Sequence, residues 1–367
     1  MIRTAMVGAC LLLTACDEQE SASERIVFLE AGAVTPLPAG AREIELIQRD
    51  HACAIDRYQS QVHCVNPDGE VATLGRPGQG PGEFEFPAHV ARGNEGETVI
   101  VHDIALSRLS IFAVSGEFVT STEVASLGGL SRIQTLSDST VLAGVFLWTP
   151  GDDVRLVHAA LNAYTSAVSW QREVSAEHVD HLECSTRLGV GQTKLGAVIP
   201  TGHEELLFTA CNGELLIRYT PEDRQRPTAV LRSPTYQERF PSERRIQHTL
   251  EVQRTAAARG SFSPGHTAEE LRRRPQFWYG ARTVDGRRRV WFQSAGRTAE
   301  FEREETYLDV YQLLDNSLEF RGTVMLDGDV TNIAALGDRL VAVRNEHDSG
   351  DSRTLAWYEI GDLAFQP

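Results

Sequence analysis

Lysine is all but missing from this chain. Of 367 residues only Lys194 is a lysine, so the positive charge is essentially arginine's. No Lys-Ser/Thr pair follows any glycine-rich loop, which argues against a phosphate-cradling role for such a loop. The arginine bias itself reads first as the mark of a GC-rich genome and only second as a binding feature. Positive charge is short in total as well. The 35 lysine and arginine residues face 51 aspartate and glutamate, a net charge of −16, which repels nucleic acid. No apolar run reaches the roughly 20 residues of a membrane-spanning helix. The run from Thr4 to Leu13 is far shorter. Neither a Gly-x-Ser-x-Gly elbow nor an HExxH pair is present, so hydrolases that carry those signatures are set aside.

What is there begins at the N-terminus. Met1-Ile2-Arg3 is a short positive lead, and the apolar Thr4–Leu13 run ends in Leu13-Thr14-Ala15-Cys16. A leucine, two small residues and a cysteine at that place resemble the lipobox of bacterial lipoproteins. The resemblance implies cleavage before Cys16 and acylation of its sulfur; the plainer alternative is an ordinary signal with a chance cysteine. On the lipoprotein reading, residues 1–15 are a signal peptide and Cys10 is discarded with it. Residues 16–24, acidic and polar, become a tether, and residues 25–367 form the folded domain. The implied location is the bacterial cell envelope, periplasmic or cell-surface, with the membrane as partner through Cys16.

Cys53, Cys64, Cys184 and Cys211 remain. An even number in an oxidising compartment favours disulfides, with three possible pairings. Cys53 and Cys64 stand equidistant from Tyr58-Gln59 and can face each other across a hairpin; Cys184 and Cys211 then pair by elimination. A zinc site of His51, Cys53, His63 and Cys64 competes. Strand geometry opposes it, because His63 and Cys64 are neighbours and point to opposite faces.

Asp56–Glu70 and Asp103–Glu117 match without gaps at an offset of 47 residues, placing Asp56 on Asp103, Ser60 on Ser107 and Gly69 on Gly116. Short segments alternating every second residue between Gly/Asp/Asn turns exclude helical repeats and predict four-stranded propeller blades. Looser copies follow at 132–174, 205–219, 280–314 and 330–360. The expectation is an all-β, six-bladed β-propeller, seven blades being the alternative. Ile26–Glu30 reads as a lone strand lent by the N-terminus to close the ring. Residues 241–275 read as a helical insertion, with Ser242 as one cap and Thr267–Glu270 as a capping box.

Gly78-Gln79-Gly80-Pro81-Gly82-Glu83-Phe84-Glu85-Phe86-Pro87 resembles the inter-blade motif of six-bladed propellers of the NHL/TolB-like type, G-x-G-P-G-E/Q-F-x-x-P. The resemblance is specific over roughly residues 50–120. Positive φ is expected at Gly78, Gly80 and Gly82, Phe84 and Pro87 are expected to wedge between blades, and Asp103 to bond nearby backbone or Arg108.

Propeller ligands sit most often at the mouth of the central channel, where the innermost strands begin. The repeat places Arg42, His89, Arg132, Tyr279 and Asn332 there, a ring rich in cations and poor in carboxylates that hints at an anionic or polar ligand. Two other clusters read as plain surface: His178 and His181 within Glu177–Glu183, and the arginine runs 272–274 and 287–289, expected to be solvated or paired with the acids of 300–305. No catalytic residue and no cofactor is assigned. The function expected is a lipid-anchored scaffold binding a protein or a small polar ligand. The alternative is a lactonase-like hydrolase or lyase using a channel-bound divalent metal such as calcium.

Overall fold

The computed structural model describes residues 26–38, 40–125, 129–147, 155–173, 183–184, 195–202, 205–220, 227–237, 240–241, 243–258, 265–273, 282–294, 305–345, 352–363 and 365. Residues 1–25, with the signal segment, Cys16 and the tether, lie outside them, as do Ser242, Tyr279, His178 and His181.

After β1 (Ile26–Leu29) and β2 (Ala33–Leu37), the first blade is β3 (Ala41–Gln48), β4 (His51–Asp56), β5 (Gln61–Val65) and β6 (Val71–Leu74). A two-residue parallel pair, β7 (Arg76–Pro77) and β8 (Glu83–Phe84), leads into β9 (Pro87–Gly93), β10 (Thr98–Asp103), β11 (Arg108–Ala113) and β12 (Phe118–Glu123). The third blade is β13 (Gly129–Thr135), β14 (Thr140–Leu147), β15 (Arg155–Asn162) and β16 (Val168–Glu173). The fourth is β17 (Leu195–Gly202), β18 (Glu205–Ala210), β19 (Leu215–Tyr219) and β20 (Ala229–Arg232). Helices α1 (Glu243–Ala258) and α2 (Ala268–Arg273) precede the fifth, β21 (Arg282–Val284), β22 (Arg289–Gln293), β23 (Glu305–Leu313) and β24 (Leu318–Asp327). The sixth is β25 (Asp329–Leu336), β26 (Arg339–Asn345) and β27 (Arg353–Glu359).

These sheets make a six-bladed β-propeller. Strands β3, β9, β13, β17, β21 and β25 are innermost, and each touches the innermost strand of the next blade around the ring. The middle strands lie between neighbouring blades and are apolar on both faces; β10 is buried along its whole length, as expected of a strand covered on two sides. The outer β12 instead alternates half-buried and exposed.

Closure uses more of the N-terminus than one strand. The fourth strand of blade six is β2, antiparallel to β27. β1, the strand expected to close the ring, instead adds a fifth strand to blade five, parallel to β24. Pro36 in β2 lacks an N–H, which suits an outermost strand.

The joint between blades one and two is built by the glycine-rich loop. Phe84 is fully buried in one cluster with Ile55, Val62 and Leu74 of blade one and Val99 and Phe112 of blade two. Asp103 accepts the backbone N–H groups of Glu85 (2.8 Å) and Leu106 (3.0 Å). The Arg108 guanidinium donates to the carbonyls of Gln79 (3.0 Å), Gly80 (2.9 Å) and Glu83. Positive φ occurs at Gly75, Gly78 and Gly82, but not at Gly80. Gly80 serves close approach instead: its N–H donates to the Glu83 carboxylate at 2.8 Å, and a Cβ there would stand 2.9 Å from the same oxygen.

Arginines latch other joints in the same way, each donating to backbone carbonyls of the next blade. Arg57 reaches Ala88 (3.0 Å), Arg218 reaches Ser317 (3.0 Å) and Leu314, Arg289 reaches Gly361 (3.2 Å) and Ile360, and Arg353 reaches Ala41. A guanidinium can bridge two carbonyls at once, which an ammonium group does less well. At the closing joint Arg49 pairs with Asp338 and Glu359, and Arg339 with Asp50 and Glu359.

Two disulfides are present, Cys53–Cys64 between facing positions of β4 and β5, and Cys184–Cys211, which ties the connection after blade three to blade four. The sulfurs of Cys53 and Cys64 are therefore not thiolate ligands. In the helical insertion, Thr267 and Glu270 exchange backbone–side-chain hydrogen bonds of 3.2 and 2.7 Å, the expected capping box. Arg272 of α2 pairs with Glu243 of α1.

Candidate functional site

The six innermost strands surround a cavity of about 240 Å³ on the propeller axis. Its charged lining is Glu43 and Glu45 from β3, Arg92 from β9, Arg132 from β13, and Arg282 and Asp285 from β21 and the turn after it. On β3, Glu43 and Glu45 reach the cavity with half-buried side chains, while the intervening Ile44 and the following Leu46 are buried.

Threonine hydroxyls stitch the inner ring. Thr135 accepts the Arg92 N–H at 2.8 Å and donates to the Glu45 carboxylate at 3.0 Å; Thr283 accepts the Ala335 N–H at 3.0 Å. Arg132 lies 3.7 Å from Glu43. Burial pushes the Glu45 carboxyl up to about 7, against the opposing pull of the Thr135 hydrogen bond and of Arg92 and Arg132. Asp285 takes no part in this set. Its two oxygens accept from the Arg287 and Arg289 backbone, the Arg289 guanidinium and the Trp291 indole, so it is a structural anchor.

Glu45 sets a pH dependence whose sign follows from linkage. Its folded pKa lies above the ordinary value of 4.5, so the folded state holds the extra proton and its stability falls as pH rises from about 4.5 to about 7. Glu45→Gln should remove that slope. The variant is expected to melt roughly 2 °C or more above the parent at pH 8, with the gap closing toward pH 5. Scanning calorimetry across that range checks it, and parallel curves for the two proteins would contradict it.

Of the residues proposed from sequence, Arg132 and Asn332 line the cavity. His89 is not among the lining residues; its ring stacks on His102 at 5.8 Å. Burial, and then repulsion from His89, holds His102 down at about 4. Tyr279 and the side chain of Arg42 fall outside the described residues. The inner ring is not poor in carboxylates, since Glu43 and Glu45 face it. Sequence reasoning missed both glutamates and Arg92. The signal was present: the 47-residue offset that pairs Arg42 with His89 also pairs Glu45 with Arg92.

Among the described residues the arginine runs are paired, while the acids of 300–304 lie outside those residues. Arg272 meets Glu243, Arg273 meets Glu269, Arg287 meets Asp362, Arg288 meets Glu205 and Asp315, and Arg289 meets Asp285. Arg274 lies outside the described residues.

No family profile and no curated protein matches the sequence. Among solved structures, that of U3-55K is similar at 12% identity and a TM-score of 0.52, covering 89% of this chain and 99% of its own. The WD40 repeats of RRP9 follow at 11% and 0.49, covering 90% of this chain and 100% of theirs. A protein of unknown function from Bacteroides thetaiotaomicron stands at 11% and 0.45, covering 91% of this chain and 75% of its own. At such identities likeness is one of fold, and the fold is that of a β-propeller.

Proposed function

We propose that this chain is a lipid-anchored binding protein of the bacterial envelope, a propeller of the NHL/TolB-like type whose axial cavity holds a small polar ligand. Residues 1–15 are the signal peptide, Cys16 is the anchor and residues 16–24 are the tether of a domain spanning 25–367. The Leu13-Thr14-Ala15-Cys16 sequence supports the anchor, and the two disulfides suit an oxidising compartment. The observation that carries the binding role is the cavity itself, concave, axial and lined by charged side chains from facing strands.

The alternative, a hydrolase or lyase built on a channel calcium, asks for converging carboxylates. Here Glu43 stands beside Arg132, and Glu45 beside Thr135 and within the field of Arg92. Among the described residues no three His, Cys, Asp or Glu side chains gather in a metal-binding group.

Expressed in a bacterium, the full chain is expected to partition with membranes and to incorporate a palmitate analogue. Cys16→Ser should lose the label and move to the soluble envelope fraction. A Cys16→Ser protein that keeps label and location overturns the anchor. A divalent metal at unit stoichiometry in native mass spectrometry of the purified protein would favour the enzyme.

A further inference from the structure

Three observations together narrow the ligand. The first is charge. The protein carries −16 overall, yet the described cavity wall sets Arg92, Arg132 and Arg282 against Glu43, Glu45 and Asp285, and Asp285 is bound up by Arg289 and Trp291. A concave site whose own charges balance spares an anion the repulsion that the rest of an acidic protein imposes. The second is the state of the cations. Arg132 shares Glu43 at the long distance of 3.7 Å, and the side chain of Arg92 makes no hydrogen bond or ion pair among the described residues; it acts on Glu45 only through its field. Such guanidinium groups retain donors for a planar, two-oxygen acceptor. The third is size. About 240 Å³ lies below the roughly 300–1,000 Å³ of sites for drug-sized ligands, so the occupant is small.

We propose that the channel binds a small organic carboxylate, seated between Arg92 and Arg132 and against Glu45. The inference rests on the binding role argued above and specifies its chemistry.

Glu45 makes the site proton-coupled. It faces Glu43 on its own strand, Arg92 from β9, and Arg132 and Thr135 from β13, with Arg282 on the same wall from β21. Already pushed up to about 7 by burial, its carboxyl is driven further toward the neutral form when a second carboxylate arrives. Neutral Glu45 then donates a hydrogen bond to the ligand in place of repelling it. Binding takes up a proton, and affinity falls as pH rises through about 7.

The test is isothermal titration calorimetry on the full-length protein in detergent, with succinate, spermidine and glucose as anionic, cationic and neutral probes. Succinate is expected to bind saturably, about tenfold more weakly at pH 8 than at pH 6, in line with one linked proton. Arg92→Gln and Arg132→Gln should each weaken it about tenfold, the loss of one charge-assisted pair, while Arg92→Lys keeps part of the affinity. Melting curves of the variants confirm that they are folded. Glu45→Gln should bind succinate with no pH dependence over the same range. Binding of spermidine or glucose but not succinate overturns the carboxylate and leaves a polar-ligand channel standing. If no probe binds, both readings fall. Succinate binding untouched by the arginine substitutions places the anion elsewhere and overturns the site.

Discussion

Phe84→Ala is expected to cost about 3–5 kcal/mol of stability, the range for removing a fully buried phenylalanine. The side chain has no exposed surface and fills the seam between blades one and two. Its ring lies 5.5 Å from that of Phe112, which in turn meets Phe118 edge-on. The site is poorly able to collapse around a smaller residue. On one side stands Gly75, so close that a Cβ would come within 2.3 Å of the Phe84 ring. On the other, the Phe84 backbone is pinned by the Gly78 N–H, which donates to its carbonyl at 2.9 Å. Guanidinium denaturation followed by both tryptophan fluorescence and far-ultraviolet dichroism measures the loss. A change under about 1 kcal/mol would mean that the loop holds the joint without its wedge. Phe84→Leu, which keeps most of the volume, should cost less than half as much.

Arg218→Met is the second large effect, again about 3–5 kcal/mol, the cost of removing one partner of a buried ion pair. Arg218 lies on β19 in blade four and is almost wholly buried. Its Nε donates to Glu205 of the adjacent β18, and Nη1 to the carbonyls of Leu314 and Ser317 in blade five. Methionine keeps the unbranched apolar stem but strands a buried carboxylate and leaves two turn carbonyls without their donor. Among the described residues Glu205 would keep only Arg288, at 3.2 Å and itself partly exposed. The double variant Arg218→Met with Glu205→Leu should regain a large part of the loss, because it removes the orphaned charge as well. If the double variant is as weak as the sum of its parts, the pair is not coupled and the latch lies in the carbonyl contacts alone. Arg218→Lys should also be weak, since a single ammonium cannot span the carboxylate and both carbonyls.

The ring of blades is legible in the sequence because its signals are local. Two-residue alternation, the Asp285-Gly286 turn and the 47-residue offset each lie within one or two strands, and the strands at 140–146, 205–211, 289–293 and 339–344 stand within a residue or so of the expected places. The latches are not local. Arg353 meets Ala41 across 312 residues and Arg49 meets Asp338 across 289, separations that no pattern along the chain displays. The same holds for the arginine run 287–289, whose described acids come partly from neighbouring blades. The site falls between these cases. Attention to where the innermost strands begin selects Arg132 and Asn332 but passes over Glu45 and Arg92, one layer deeper. Irregular pairing of β3 on β4, with register shifts between Ala41 and Ile44 and between Leu46 and Gln48, also hides which β3 residues face the axis. Near an irregularity, strict alternation ceases to tell inside from outside.

The clasp made by β1 and β2 sets an order in time. These strands are among the first parts of the domain to leave the ribosome, yet their partners, β24 and β27, are among the last. At about 5–20 residues per second, Ala33–Leu37 waits on the order of 15–60 seconds for Arg353–Glu359 to exist. By the end of that interval the chain holds five blades' worth of sequence with β2 still without its partner. Completion of the molecule is therefore a single late event, in which the oldest and youngest segments of the chain meet.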